Sequence, residues 1–476
     1  MRKSIPLQLT YDDVLLEPRR SKVRHRADVN TASHLTKNIK LSLPFISANM
    51  DTVTESNMSI AMAKTGGIGI IHRFMSVDNQ VKEINKVMRY QEFLISNPYT
   101  VGASATVGDI YKKVNYNGVS GFLVIDKNYI LKGLVTRRDI LFGTDKSTLV
   151  RSVMTPINKL VTARPDITVT KAKKLFTKHK VEKLPVVNAK GELKGLVTAS
   201  SIASSRRHPH ATRDQKGRLR CGAAVGVVGD YLERAGKLLD AGASVLVVDV
   251  AHGQNISSIE AIKKLRKKYK NAEIIGGNVA TKSGVRDLIS AGVNAIKVGI
   301  GPGGLCTTRT VAGVGVPQLS AIINCVEATK GKVCVISDGG TNYPGDITKA
   351  LAAGANTIML AGWFAGTEES PGEIILRKNK RFKIHRGSAS FLSQSDTIQR
   401  LKTGKRINSI VPEGVESLME FKGSVNEIIY QLEGSLRSGM SYCNAGTISE
   451  LQKNARFVRM TSAGFRESGA HNVDEI

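Results

Sequence analysis

LLDAGASVLVVDV (residues 238–250), LISAGVNAIKVGI (288–300) and ALAAGANTIMLAG (350–362) are three copies of one pattern. Each closes a helical stretch, passes through Ala-Gly, and enters a short β-branched apolar run. Gly242, Gly292 and Gly354 suit the left-handed residue that ends a helix, and the runs suit strands covered on both faces. AMAKTGGIGIIH (61–72) is a weaker fourth copy. Repeated β-α units of this kind build either a parallel barrel or a doubly wound sheet. The loops after the strands choose between them. Asp249, GGNVAT (276–281), GIGPGGLC (299–306) and SDGGT (337–341) place polar and glycine-rich groups after four successive strands. Four such loops converge on one mouth only if the sheet closes, so the expectation is α/β, a (β/α)8 TIM barrel.

A second repeat interrupts the first. LKGLVT occurs at 131–136 and again at 193–198, an offset of 62 residues. Before each copy stand a Thr-Val pair, a helical stretch and an apolar strand, GFLVID or KLPVVN. Two β-α-β-β units therefore form an inserted α+β module. The expected organisation is barrel over 1–96, module over 97–204, the polar linker SRRHPHATRDQKGRLR within 205–221, and barrel again over 222–476.

The chain has 476 residues, 41% hydrophobic, with 69 Lys and Arg against 40 Asp and Glu, a net +29. That apolar content excludes an intrinsically disordered chain despite the charge. Without a run of 18 apolar residues, and with MRKSIPLQLTYDD at the amino end, neither a membrane span nor a signal peptide is expected. Five cysteines (221, 306, 325, 334, 443) lack paired metal-ligand spacing. A reducing cytoplasm is thus the expected location, without a disulfide framework or zinc. The positive charge is scattered, and only 5% of residues are aromatic. A solvated lysine-rich surface is the preferred reading over nucleic-acid binding.

The stretch GIGPGGLCTTR (299–309) followed by GVGVPQ resembles the IMP dehydrogenase/GMP reductase family. LTYDDVLLEP, NMDTVTE, GGIGIIHR, SDGG, AGTEESPGE, VPEGVE and LRSGMSY extend the resemblance over nearly the whole chain. The inserted module is similar to a tandem CBS pair, a regulatory unit. In chemical terms, a thiolate in a glycine-rich loop can add to the electrophilic C2 of a purine. The resemblance implies that Cys306 is this nucleophile, that Thr308 assists it, and that Glu413 and Arg400 serve proton transfer. It implies a purine 5'-monophosphate held by Met50, Gly304, Asp338, Gly339, Gly340, Gly362, His385, Ser388 and Glu413. It further implies NADPH or NAD at Asp249, Ala251, Asn278 and Gly299. A potassium ion is implied at Gly301, Gly303 and Cys306, completed by Glu467, Ser468 and Gly469 of a neighbouring subunit. The implied assembly is a homotetramer, with an octamer as the larger form.

Two reactions share the thioimidate between Cys306 and C2. A dehydrogenase oxidises IMP with NAD and hydrolyses the adduct to XMP; a reductase expels ammonia from GMP and reduces the adduct with NADPH. Dehydrogenases carry a flap with an Arg-Tyr pair that activates water, whereas SQSDTIQRLKTGKRINSIVPEG (393–414) offers Arg400-Leu401. Val250, Ala361-Gly362, Ser388-Ala389-Ser390 and the Asn of NMD also lean to the reductase. The CBS insert, HRFMS and VPEGVE lean to the dehydrogenase. GMP reductase is the expected activity and IMP dehydrogenase the alternative. A non-catalytic CBS nucleotide sensor is the alternative of a different class. In the module, Thr136 and Asp139 are spaced to hold the phosphate and ribose of an adenine or guanine nucleotide, while Ser201 takes the aspartate's place in the second copy.

Overall fold

The protein is represented by a computed structural model, which describes residues 5–90, 94–95, 98–117, 121–140, 145–202, 208–401 and 410–469. The chain forms two compact units, one of Met1–Met88, His210–Asp214 and Leu219–Ile476, the other of Arg89–Pro209 and Gln215–Arg218.

The first unit is the barrel. Eight parallel strands are β1 (Phe45–Ser47), β2 (Ile68–Ile71), β3 (Gly222–Val225), β4 (Val245–Asp249), β5 (Ile274–Val279), β6 (Ala295–Val298), β7 (Cys334–Asp338) and β8 (Thr357–Leu360). They pair in order around the sheet, β8 to β1 and β2 to β3, and so close it. Nearly every strand residue is buried, as the continuous apolar runs require of a sheet lined by helices outside and side chains inside. Gly66, Gly242, Gly292 and Gly354 all have φ between 100° and 107°. The Ala-Gly repeat is thus a helix terminator that only glycine makes cheaply. The following helix starts use local caps; Thr281 Oγ1, for example, accepts from Gly284 N at 3.2 Å.

The interior is filled by Ile46, Ile68, Val245, Val247, Ile275, Ile336 and Met359 among others. Burying an aliphatic side chain of this size contributes roughly 1.5–3 kcal/mol. A hairpin, Ser33–Thr36 with Ile39–Leu41, adds Leu35, Ile39 and Leu41 to the same cluster. Its Ser33 Oγ donates to the Asn356 carbonyl at 2.6 Å, just before β8, so the hairpin closes the amino-terminal end of the barrel. The other end is left for chemistry. After β8 an antiparallel sheet of Ile375–Arg377, Lys380–Arg386 and Glu416–Glu420 precedes the helix Val425–Tyr442.

The second unit repeats itself in three dimensions. Gly121–Ile125 pairs with Leu131–Thr136, and Lys183–Val187 pairs with Leu193–Thr198, in the same register and with the irregularity at the same place. Leu123, Ile125, Leu131 and Leu134 of one copy share a core with Leu193 and Leu196 of the other. The LKGLVT repeat is therefore a packing repeat, each copy covering the apolar face that the other cannot bury alone. Leu94 packs into this unit and Ile95 bridges to Leu196, so these two residues belong to it although the expected boundary put them with the barrel. No described helix is long and apolar enough to cross a membrane.

Candidate active site

β6 ends at Val298, and the chain turns into the loop that carries Cys306. Gly299 has φ 151°, and a Cβ there would lie 2.1 Å from the Asp338 carbonyl oxygen, so only glycine lets the two strand ends approach. The loop is held on two sides. Cys306 N donates to the Gly303 carbonyl at 2.9 Å, while Thr307 N donates to the Glu413 carbonyl at 2.9 Å and Val415 N to that of Leu305 at 3.0 Å. A segment more than a hundred residues downstream is thereby paired to the nucleophile loop. Cys306 is exposed, whereas Cys221, Cys325, Cys334 and Cys443 are buried. Burial pushes the Cys325 thiol up to about 12 and that of Cys334 to about 11, and raises that of Cys443.

Three side chains line up from the sulfur. Cys306 Sγ lies 3.2 Å from Thr308 Oγ1, which donates to Glu413 Oε2 at 2.8 Å. A thiol, a hydroxyl and a carboxyl in hydrogen-bond sequence can pass a proton between the exposed sulfur and the carboxyl group.

Beside them lies a buried charge cluster. Lys297 Nζ is 2.6 Å from Asp338 Oδ2 and 3.1 Å from Asp249 Oδ1, with the lysine side chain 5% exposed. Asn278 Nδ2 donates to Asp338 Oδ2 at 2.9 Å and to the Gly299 carbonyl at 2.7 Å. Burial alone would raise the Asp249 carboxyl, but Lys297, Arg73 and a hydrogen bond from Asn49 hold it below the usual carboxylate range. Asn278 Oδ1 and Arg73 Nε are buried and have no hydrogen-bond partner among the described residues. The cluster is a strand-end surface set up to accept hydroxyl groups, with one acceptor and one donor still to be satisfied.

The remaining expected residues differ in exposure and setting. Met50 packs partly buried on the barrel core, and Gly339 and Gly340 follow Asp338 with φ of 87° and 81°. Ser388 is half-buried, and Ala251 is exposed in the loop after β4. A Cβ at Gly304 or Gly362 would meet nothing within 4 Å, so packing does not demand glycine at either place. The Gly362 carbonyl accepts from Lys422 Nζ. The carbonyls of Gly301, Gly303 and Cys306 lie in the nucleophile loop, that of Gly303 already accepting one N–H. Glu467, Ser468 and Gly469 end the last described helix, Ser462–Glu467, and its following turn. Arg400 lies on the helix Phe391–Leu401, its side chain outside those described, as are residues 402–409 of the flap. In the second unit Asp139 Oδ2 accepts both from Thr136 N at 2.7 Å and from Thr136 Oγ1 at 2.8 Å. The pair expected to face a nucleotide is internally bonded, with the second carboxylate oxygen outside that turn. Among the described residues no group of three or more His, Cys, Asp and Glu could hold a metal ion.

His385, expected beside the nucleotide's phosphate, is buried. The residue is 3% exposed, and its Nδ1 lies 3.1 Å from Thr52 Oγ1. Burial, helped by the neighbouring Lys422 charge, lowers it to about 4. The reason is position: His385 occupies the inward face of the strand Lys380–Arg386, where alternation also buries Lys383. Below its ordinary value near 6.5 the unfolded chain binds a proton here and the folded one does not. Stability therefore falls as the pH drops from about 6.5 to 4, by about 3 kcal/mol from this group. Urea unfolding across that range should show the slope, and His385→Gln should remove this part of it.

A family model for the IMP dehydrogenase / GMP reductase domain matches residues 8–471. The chain belongs to the IMP dehydrogenase/GMP reductase family. It is 46% identical to the inosine-5'-monophosphate dehydrogenase of Nitrosopumilus maritimus, over 98% of both chains. It is 44% identical to the GMP reductase of Leishmania donovani, over 99% of this chain and 98% of that one. Among solved structures, a cysteine-to-alanine variant of GMP reductase from Trypanosoma brucei with guanosine 5'-monophosphate superposes with a TM-score of 0.93, at 43% identity and 99% coverage of both chains. The same enzyme with guanosine 5'-triphosphate gives 0.82 at 40% identity, covering 96% of this chain and 99% of that one.

As an IMP dehydrogenase/GMP reductase family oxidoreductase, the chain has site groups whose role sequence reasoning did not single out, although Asn49 stands in NMDTVTE and Arg73 in GGIGIIHR. Lys297 hides inside an apolar strand, where one charge among Ala, Ile and Val is the available signal. Arg73 and Asn49 come from loops far from Asp249 in sequence. Lys422, which ties down the Gly362 and Trp363 carbonyls, follows a strand with no glycine-rich loop to mark it.

Proposed function

We propose that this protein is a GMP reductase, converting GMP and NADPH to IMP, ammonia and NADP. The observation that carries the chemistry is the Cys306–Thr308–Glu413 line, 3.2 Å and 2.8 Å long in its two contacts. The Cys306 thiolate adds to C2 of GMP. Glu413, through Thr308, supplies the proton with which the 2-amino group departs as ammonia, leaving C2 doubly bonded to nitrogen and singly to sulfur. NADPH, when held by Asp249, Ala251, Asn278 and Gly299, would supply the hydride that C2 takes in place of its bond to the Cys306 sulfur. Asp338 accepts from the ribose hydroxyls, and Gly304, Gly339, Gly340, Gly362 and Ser388 surround the phosphate, with Met50 against the base. Asp249, Ala251, Asn278 and Gly299 suit the cofactor. The unpartnered Asn278 Oδ1 and Arg73 Nε give the donor and acceptor groups of a nicotinamide ribose and carboxamide something to meet.

The direction rests on the flap. Leu401 stands where water activation would need a phenol, and a reductase has no water to activate. The inserted unit does not oppose this, because the Leishmania donovani GMP reductase matches 99% of this chain. IMP dehydrogenase is the second reading, favoured by relatives of that name at 45–46% identity. Absorbance of the reduced cofactor separates them. Loss with GMP and NADPH is expected; gain with IMP and NAD instead would reverse the assignment, and no change in either would leave a nucleotide sensor. A homotetramer with potassium between the nucleophile loop and Glu467–Gly469 of the next copy completes the reading. Sedimentation and a potassium-free assay test those two points.

The second unit is read as a CBS pair that binds an adenine or guanine nucleotide at Thr136 and Asp139. Support comes from its repeat geometry and from the guanosine 5'-triphosphate complex of a similar enzyme. Calorimetry on the full chain should give a binding event for ATP or GTP that Asp139→Ala weakens about tenfold, the usual scale for a charge-assisted bond. Equal binding by the variant would reject the site.

A further inference from the structure

Lys297 touches both Asp249 and Asp338, the two carboxylates of the barrel mouth described above. It lies within β6, its side chain 5% exposed, and reaches Asp338 at the end of β7 and Asp249 at the end of β4. The neighbouring strand is built around it: a Cβ on Gly277 would fall 2.6 Å from the Lys297 Cβ. Burial would strip its proton, yet the two carboxylates hold it above the ordinary lysine range, so it is charged. Around it stand Asp249, Asp338 and, beyond Asp249, Arg73, which is itself flanked by Arg234 and Asp230. Two anions and two cations thus balance in a nearly closed space.

We propose that Lys297 is a positioning residue that couples the nucleotide and cofactor subsites, one ammonium aiming both the carboxylate for the nucleotide ribose and the carboxylate for the cofactor ribose. This rests on the reading of the mouth given above. Asp338 and Asp249 each spend one oxygen on Lys297, which leaves the other oxygen of each a fixed direction. Independent carboxylates would need separate cations. Sharing one means that a disturbance at Asp249 reaches Asp338 without any contact between the ligands.

The test measures GMP and IMP binding by calorimetry, without cofactor. Lys297→Met leaves two carboxylates beside one guanidinium, and GMP binding should weaken about tenfold or more, since breaking a buried pair exposes an uncompensated charge. Adding Asp249→Asn restores the balance and should recover most of that loss, although Asp249 is assigned to the cofactor side alone. Lys297→Arg, which keeps the charge, should recover part of it. Should Lys297→Met alone not fold, recovery of folded, GMP-binding protein by the double variant carries the same test. If GMP binds Lys297→Met as tightly as the unmodified protein, or the double variant binds no better than Lys297→Met, the coupling is wrong. If the unmodified protein binds neither GMP nor IMP, the functional reading falls with it.

Discussion

Cys306→Ala is expected to lower turnover by about 10^4-fold or more, the scale on which removing a covalent nucleophile acts, while GMP still binds. No other sulfur can take over. The remaining four cysteines are buried, and burial keeps the thiols of Cys325, Cys334 and Cys443 protonated, whereas the Cys306 side chain stands exposed in the loop after β6. Binding should survive because Asp338 is held by Lys297 and Asn278 rather than by the sulfur. Steady-state rates with GMP and NADPH, together with calorimetric binding of GMP, read the two halves separately. Turnover within tenfold of the unmodified protein would remove the covalent step from the mechanism.

The next largest effect is expected at Glu413. Glu413→Gln keeps the shape and a hydrogen bond to Thr308 but can no longer yield a proton, so kcat should fall about 10^2- to 10^4-fold with little change in the KM for cofactor. Thr308→Val cuts the same line one atom earlier, and its loss should be similar. Because the two act in series, the double variant should lose no more than the worse single one. Additive losses would mean that Thr308 and Glu413 serve separate steps. A rapid-mixing experiment that follows ammonia release before hydride transfer would place the defect.

Much of this was legible in the chain itself. The Ala-Gly terminators at Gly242, Gly292 and Gly354 reported the repeated β-α units, because a left-handed helix end is a local requirement that glycine meets whatever surrounds it, and the polar loops after four strands reported that the sheet closes. LKGLVT at two places reported a duplicated unit, because a strand that packs against its own copy must keep the same side chains. Cys306 was legible from its loop, and the structure adds that it is exposed while the other four are buried. The expected boundary at 97 put Leu94 and Ile95 with the barrel, whereas they pack in the second unit, since such side chains look alike whether they pack inward on a barrel or on the insert.

What the amino-acid order alone determined, then, is what depends on neighbours along the chain: the helix ends, the period of the strands, the glycine-rich loops and the family they mark. Tertiary structure alone decided which distant groups share a charge. His385 became a buried neutral ring because of which face of its strand turned inward, and Lys297 became the centre of the mouth because β4 and β7 deliver carboxylates to either side of it. Electrostatic energy depends on distance through space and on the water excluded from it, and neither quantity is written in sequence separation.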